Sequence, residues 1–142
     1  MGKPAILHRT YLTYEGEKAP LEQPRRLMPG SVPKGAAIRL GQVTEAIGIA
    51  EGIETALSAS AMFGLPVWAT MSTAVMASWE PPAGVERVTI FGDNDNGFGG
   101  QAAAYALAHR LTTRKVSVMV RIPHHQTTGN DWNDIQRTER QP

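Results

Sequence analysis

From residue 41 onward the chain alternates short apolar runs with longer stretches of helical periodicity. The runs AIGIA at 46–50, PVWA at 66–69, RVTIF at 87–91 and VSVMVR at 116–121 have the length of buried strands. Between and after them, 53–63, 73–79, 100–111 and 132–137 carry spacing that predicts helices. The segment AAAYALAHRL presents a broad apolar face, and Arg110 near its end complements the helix dipole. Strands separated by helices predict an α/β domain, a mainly parallel sheet with helices packed on its faces. Before residue 41 the pattern changes. Pro4, Pro20, Pro24, Pro29, Gly30, Pro33 and Gly35 punctuate a short strand around 8–13, a turn at Glu15-Gly16 and the run AAIRL at 36–40. This reads as extended, β-hairpin-like material. The expected organisation is therefore a segment 1–40 followed by an α/β domain at 41–142.

Composition bounds this picture. With 142 residues, 42% hydrophobic and 19% charged, the chain has the size and make-up of one globular domain and not of a disordered segment. It has no cysteine, which excludes disulfides, thiolate zinc sites and a cysteine nucleophile. No apolar stretch approaches the roughly 20 residues needed to span a bilayer, and MGKPAILHRTYL lacks a signal-peptide core. A cytoplasmic setting without membrane attachment is expected. Net charge is +1, but it is unevenly distributed: residues 1–40 hold seven Lys or Arg against three Glu, and residues 41–142 hold seven against ten acids. The basic first part suits contact with a polyanion, and Arg9, Arg25, Arg26, Lys34 and Arg39 are the candidate phosphate contacts. A solvated, Pro-rich arm explains the same charges equally well.

The acids themselves are grouped. All four aspartates lie in two clusters, Asp93/Asp95 in VTIFGDNDNG and Asp131/Asp134 in GNDWND, each beyond a predicted strand. A third run, AIGIAEGIETAL, delivers Glu51 to a strand end, with Glu54 starting the next helix. In an open α/β sheet ligands bind beyond the carboxyl ends of the strands, so these carboxylates point to one acidic cleft. Side chains two apart in extended backbone share a side, which lets Asp93 and Asp95 share a cation. Carboxylate oxygens suit Mg²⁺, with Mn²⁺ as a second candidate. The run 97–100, Gly-Phe-Gly-Gly, offers flexible backbone and free N–H groups before a helix, a place for a phosphate.

The ordered set of strand-Glu51-Gly52-x-Glu54, strand-Asp93-x-Asp95 and Asp131-x-Asn133-Asp134 resembles the Toprim domain, a Rossmann-like catalytic module of bacterial-type primases, topoisomerases and some nucleases. The likeness covers about residues 44–140 and is greatest to the Toprim domains of phage and plasmid primase-like proteins. It implies that Glu51 acts as general base or acid, and that Asp93 and Asp95 hold Mg²⁺ with Glu51 as a further ligand. Asp131 would be a further metal ligand, with Glu54, Asn133 and Asp134 in supporting positions. Bacterial primases carry an aspartate four residues after the glutamate, where this chain has Thr55.

The resemblance implies nucleotidyl transfer on nucleic acid in DNA replication, a DNA primase-type centre. Its partners would be single-stranded DNA, nucleoside triphosphates, and helicase or zinc-binding domains on the same or another chain. Two alternatives are a metal-dependent nuclease using the same carboxylates and a non-catalytic nucleic-acid-binding module of a larger replication protein. The remaining features read as structural. His124-His125 suits a surface turn, Trp68 and Trp79 suit the core, and Trp132 suits packing that anchors the Asp131 loop ahead of stacking on a base.

Overall fold

The computed structural model describes residues 4–124 and 129–140. The chain divides into two compact units, Met1–Pro33 and Lys34–Pro142, so residues 34–40 lie in the larger one. In the smaller unit β1 (His8–Thr10) pairs antiparallel with β2 (Arg25–Leu27), placing Arg9 opposite Arg26. The bridge between Leu12 and Lys18 closes the intervening loop.

The larger unit contains β3 (Ala46–Ala50), α1 (Ile53–Phe63), β4 (Val67–Ala69), α2 (Thr73–Ser78), β5 (Arg87–Phe91), α3 (Gly99–Thr112), β6 (Ser117–Arg121) and α4 (Trp132–Glu139). The strands form a parallel sheet in the order β4-β3-β5-β6. The expected α/β architecture is therefore present. From the run at 36–40 a single bridge, Ile38 to Ala69, joins the edge strand β4.

Strand alternation explains why two cores form. Ile47, Ile49, Trp68, Val88 and Ile90 point to one face, where they pack with Met76 and Trp79 from the α2 region and Ala103, Ala104, Leu107 and Leu111 of α3. Ala50, Val67, Ala69 and Phe91 point to the other, against Ala56 and Ala59 of α1 with Phe63 and Trp132 at the margin. Trp68 and Trp79 are buried as expected. Arg110 does more than complement a dipole: it donates to the carbonyls of Ala77 and Trp79 and pairs with Glu80, fastening α3 to the end of α2. No helix among the described residues is long and apolar enough to cross a membrane.

The strand order has one functional consequence. The chain leaves β3 toward β4 on one side, then returns to place β5 on the other side of β3. Such a reversal opens a crevice between the carboxyl ends of the two central strands.

Candidate metal centre

Register brings the acidic ends together at that crevice. Ala50 pairs with Phe91, so Glu51 leaves β3 beside Gly92 and Asp93 follows immediately. The turn after β4 fixes the Glu51 backbone: the Met71 N–H donates to the Glu51 carbonyl at 2.7 Å, and Thr70 donates to the Ala50 carbonyl through its N–H and its Oγ1. Met71 holds this position at φ 70°, a left-handed conformation that costs a side-chain-bearing residue about 1 kcal/mol.

The third acidic segment arrives by backbone pairing. The Asn94 N–H donates to the Asn130 carbonyl at 2.9 Å and the Gly129 N–H to the Asn94 carbonyl at 2.6 Å, which sets the start of α4 against the Asp93–Asp95 turn. Asp131 is the N-cap of α4. Its Oδ1 accepts from the Asp134 N–H at 2.9 Å while Asp134 Oδ2 accepts from the Asp131 N–H at 3.2 Å, a reciprocal capping box.

Asp93 is the centre of the cluster. Its Oδ1 is buried and has no hydrogen-bond partner among the described residues. Burial pushes its carboxyl up to about 7, and repulsion from Asp131, Glu51, Asp95 and Asp134 pushes in the same direction. An orphaned buried oxygen among carboxylates is what a cation would satisfy. The donor chemistry therefore suits a hard divalent ion, and Glu51, Asp93, Asp95 and Asp131 are the side chains expected to hold it. Among the described residues no three of these groups already stand in ligating geometry. An ion beside Asp93 would therefore complete its shell with several waters.

Other predicted residues have duties visible in the fold. Asp95 Oδ2 accepts from the Gly100 N–H at 2.7 Å, so one of its oxygens serves the start of α3. This corrects the expectation of free N–H groups along 97–100 at Gly100, and the Phe98 N–H is likewise engaged by the Asp95 carbonyl. Gln101 braces the turn by donating to Asn94 Oδ1 and the Asp95 carbonyl and accepting from the Asp95 N–H. Asn133 Oδ1 accepts from Ser58 Oγ at 3.2 Å and ties α4 to α1. Glu54 lies in the first turn of α1, where the dipole favours an acid. Trp132 packs edge-on against Phe63 and Phe91, with centroids 5.2 and 5.8 Å away, and donates Nε1 to the Arg121 carbonyl. The packing reading of Trp132 accounts for these contacts. His124 is exposed, and His125 lies outside the described residues.

The candidate phosphate contacts fall in both units. Arg9, Arg25 and Arg26 are exposed on the β1–β2 ribbon, and Lys34 and Arg39 are exposed in the larger unit. The guanidinium of Arg26 lies 5.8 Å from the centroid of the Tyr11 ring, and that of Arg39 lies 5.1 Å from that of Trp68. The run 97–100, read in the sequence as backbone alone, also carries an exposed ring at Phe98.

Comparison with known proteins bears on the fold and the family. The chain is similar in structure to a DNA primase domain from Pseudomonas aeruginosa, with a TM-score of 0.56 and 14% identity over 94% of this chain and 47% of that one. The chain thus spans about half the length of that primase domain, and the likeness is one of fold. No curated protein matches the chain. A family model described as a Toprim domain matches residues 46–141. That span opens at the first residue of β3 and takes in Glu51, the Asp93–Asp95 turn and the capped start of α4. The chain belongs to the Toprim-domain family.

Proposed function

We propose that this domain is a primase-type nucleotidyl-transfer centre acting on single-stranded DNA with nucleoside triphosphates. The observation that carries the reading is Asp93, a half-buried carboxyl with an orphaned oxygen and four acidic neighbours at the crevice between the central strands. Mg²⁺ or Mn²⁺ held there would neutralise charge on the transferring phosphate and orient its oxygens. The chain's own groups do the rest. Glu51, on backbone fixed by Met71 and Thr70, accepts the proton of the attacking 3′-hydroxyl as its oxygen bonds to the α-phosphorus and pyrophosphate departs. Asp131 is held by its capping box beside Asp93, and Asp95 fixes the turn that carries both aspartates of the pair. Helicase or zinc-binding domains, on this or another chain, would supply template capture.

The test is a denaturing gel of end-labelled single-stranded DNA incubated with all nucleoside triphosphates and Mg²⁺ or Mn²⁺, with Glu51→Gln in parallel. Longer products are expected, reduced about 10²- to 10⁴-fold in the variant by loss of the proton acceptor. Shortened products that depend on Glu51 would instead make the site a nuclease. Unchanged DNA that is still bound would make the chain a binding module.

Binding to DNA should also depend on salt. Arg9 and Arg26 stand directly opposite on the ribbon, a like-charge pair that is unfavourable until an anion lies across it. If each arginine neutralises one phosphate, Arg9→Ala with Arg26→Ala should flatten the plot of log affinity against log salt by about 1.4, at about 0.7 per single-strand phosphate. An unaltered slope would exclude the ribbon from the phosphate path.

A further inference from the structure

We propose that Phe98 is a stacking platform for the base of a nucleotide whose phosphate lies at the Asp93 cluster. The inference rests on the nucleic-acid reading above and adds the group that holds the base.

Three observations converge on this side chain. Its ring is 70% exposed, so core packing does not account for it. Its backbone sits at φ 59° and ψ 16°, the left-handed region that glycine adopts without strain. Glycines occupy 97, 99 and 100 around it, yet the residue that adopts this conformation carries a phenyl group. An aromatic side chain here runs against both burial and backbone preference. Its placement supplies a use. The Phe98 N–H donates to the Asp95 carbonyl at 3.1 Å and the Phe98 carbonyl accepts from the Ala102 N–H at 2.9 Å, so both of its backbone groups are pinned. The ring therefore stands on the same tight turn that carries Asp93 and Asp95.

Every nucleobase presents a π face, so such a platform is tolerant of sequence, as a template- or nucleotide-holding surface must be. Trp132, the other aromatic beside the cluster, is engaged with Phe63 and Phe91. Phe98, on the turn that follows Asp93 and Asp95, is exposed.

The experiment titrates the protein with two labelled single strands of equal length and charge, oligo-dT and a sugar–phosphate backbone lacking bases. Phe98→Ala and Phe98→Leu should weaken oligo-dT binding about 5- to 100-fold and leave the base-free strand unaffected. Phe98→Trp should keep the preference for bases. Phe98→Gly should lose the preference while raising the melting temperature, a pairing that a purely structural residue would not give. Equal preference in Phe98→Ala and the unaltered chain would overturn the inference and leave the nucleic-acid reading standing. So would a loss of affinity for both strands together with a lower melting temperature, or a change in self-association with base preference intact. Failure of the unaltered chain to bind either strand would overturn the nucleic-acid reading and this inference with it.

Discussion

Asp93→Asn is expected to stabilise the cation-free protein at pH 8 and to remove both its thermal response to divalent ions and its activity. The Asp93 carboxyl is raised from its ordinary 3.8 to about 7 in the folded protein. Between those values the unfolded chain releases a proton that the folded one retains. Stability from this group is therefore full below about pH 4, declines as pH rises, and is lowest above pH 7. The penalty at pH 8 is roughly 2–4 kcal/mol, the lower end allowing for partial exposure. The asparagine variant keeps the shape without the charge and should escape most of it, with its advantage shrinking to roughly a third at pH 5 and vanishing below about pH 4. Millimolar Mn²⁺ or Mg²⁺ at pH 8 should raise the melting temperature of the unaltered protein by mass action and leave the variant unmoved. Melting curves at pH 5 and pH 8, with and without Mn²⁺, measure all of this. If Asp93→Asn tracks the unaltered chain under every condition, Asp93 is not the centre of a cation site.

Gly100→Ala should destabilise the domain by about 1–3 kcal/mol and disturb the same site, although alanine is normally the better helix former by about 1 kcal/mol. The reason is space. A Cβ at Gly100 would lie 2.7 Å from the Asp93 carbonyl oxygen and 3.0 Å from Asp95 Oδ2. The first is backbone and cannot rotate away, so the turn carrying both aspartates must shift. The neighbouring Gly99 is the control, since a Cβ there meets nothing nearer than Asp95 Oδ2 at 3.5 Å. Gly99→Ala should be neutral or slightly stabilising. Chemical denaturation of the two variants with Mn²⁺ affinity measured alongside decides the matter: equal behaviour of the pair would remove close approach as the explanation.

Much of the larger unit was legible because its segments obey simple periods. The run 46–50 is continuously apolar and β-branched at alternate positions, and the helix at 53–63 and strand at 87–91 lie where the pattern puts them. The edges differ by a residue or so where local chemistry intervenes. Trp79 turns to φ −66° and ψ 144° and ends α2 rather than extending it. The strand β2 had no such signal. Arg25–Leu27 is three exposed residues, and its strand character comes from pairing with His8–Thr10, a contact between segments distant in sequence. Among site residues, types and spacing were readable but side-chain commitments were not. A D-x-D pattern does not reveal that Asp95 caps Gly100, and GNDWND does not reveal that Asn133 faces Ser58.

By itself the sequence determined the alternation of strands and helices, the absence of cysteine chemistry, and the identity of the acids at strand ends. These are local properties, set by side-chain period and residue type. Tertiary structure decided the order β4-β3-β5-β6, and with it the reversal that lays Glu51 and Asp93 side by side. It also decided that the Asn94–Asn130 pairing would bring Asp131 to them, and that Asp93 would be the carboxyl deprived of water. Burial and mutual repulsion exist only once separate segments share a space, so the raised Asp93 carboxyl and the exposed ring of Phe98 belong to the folded chain alone.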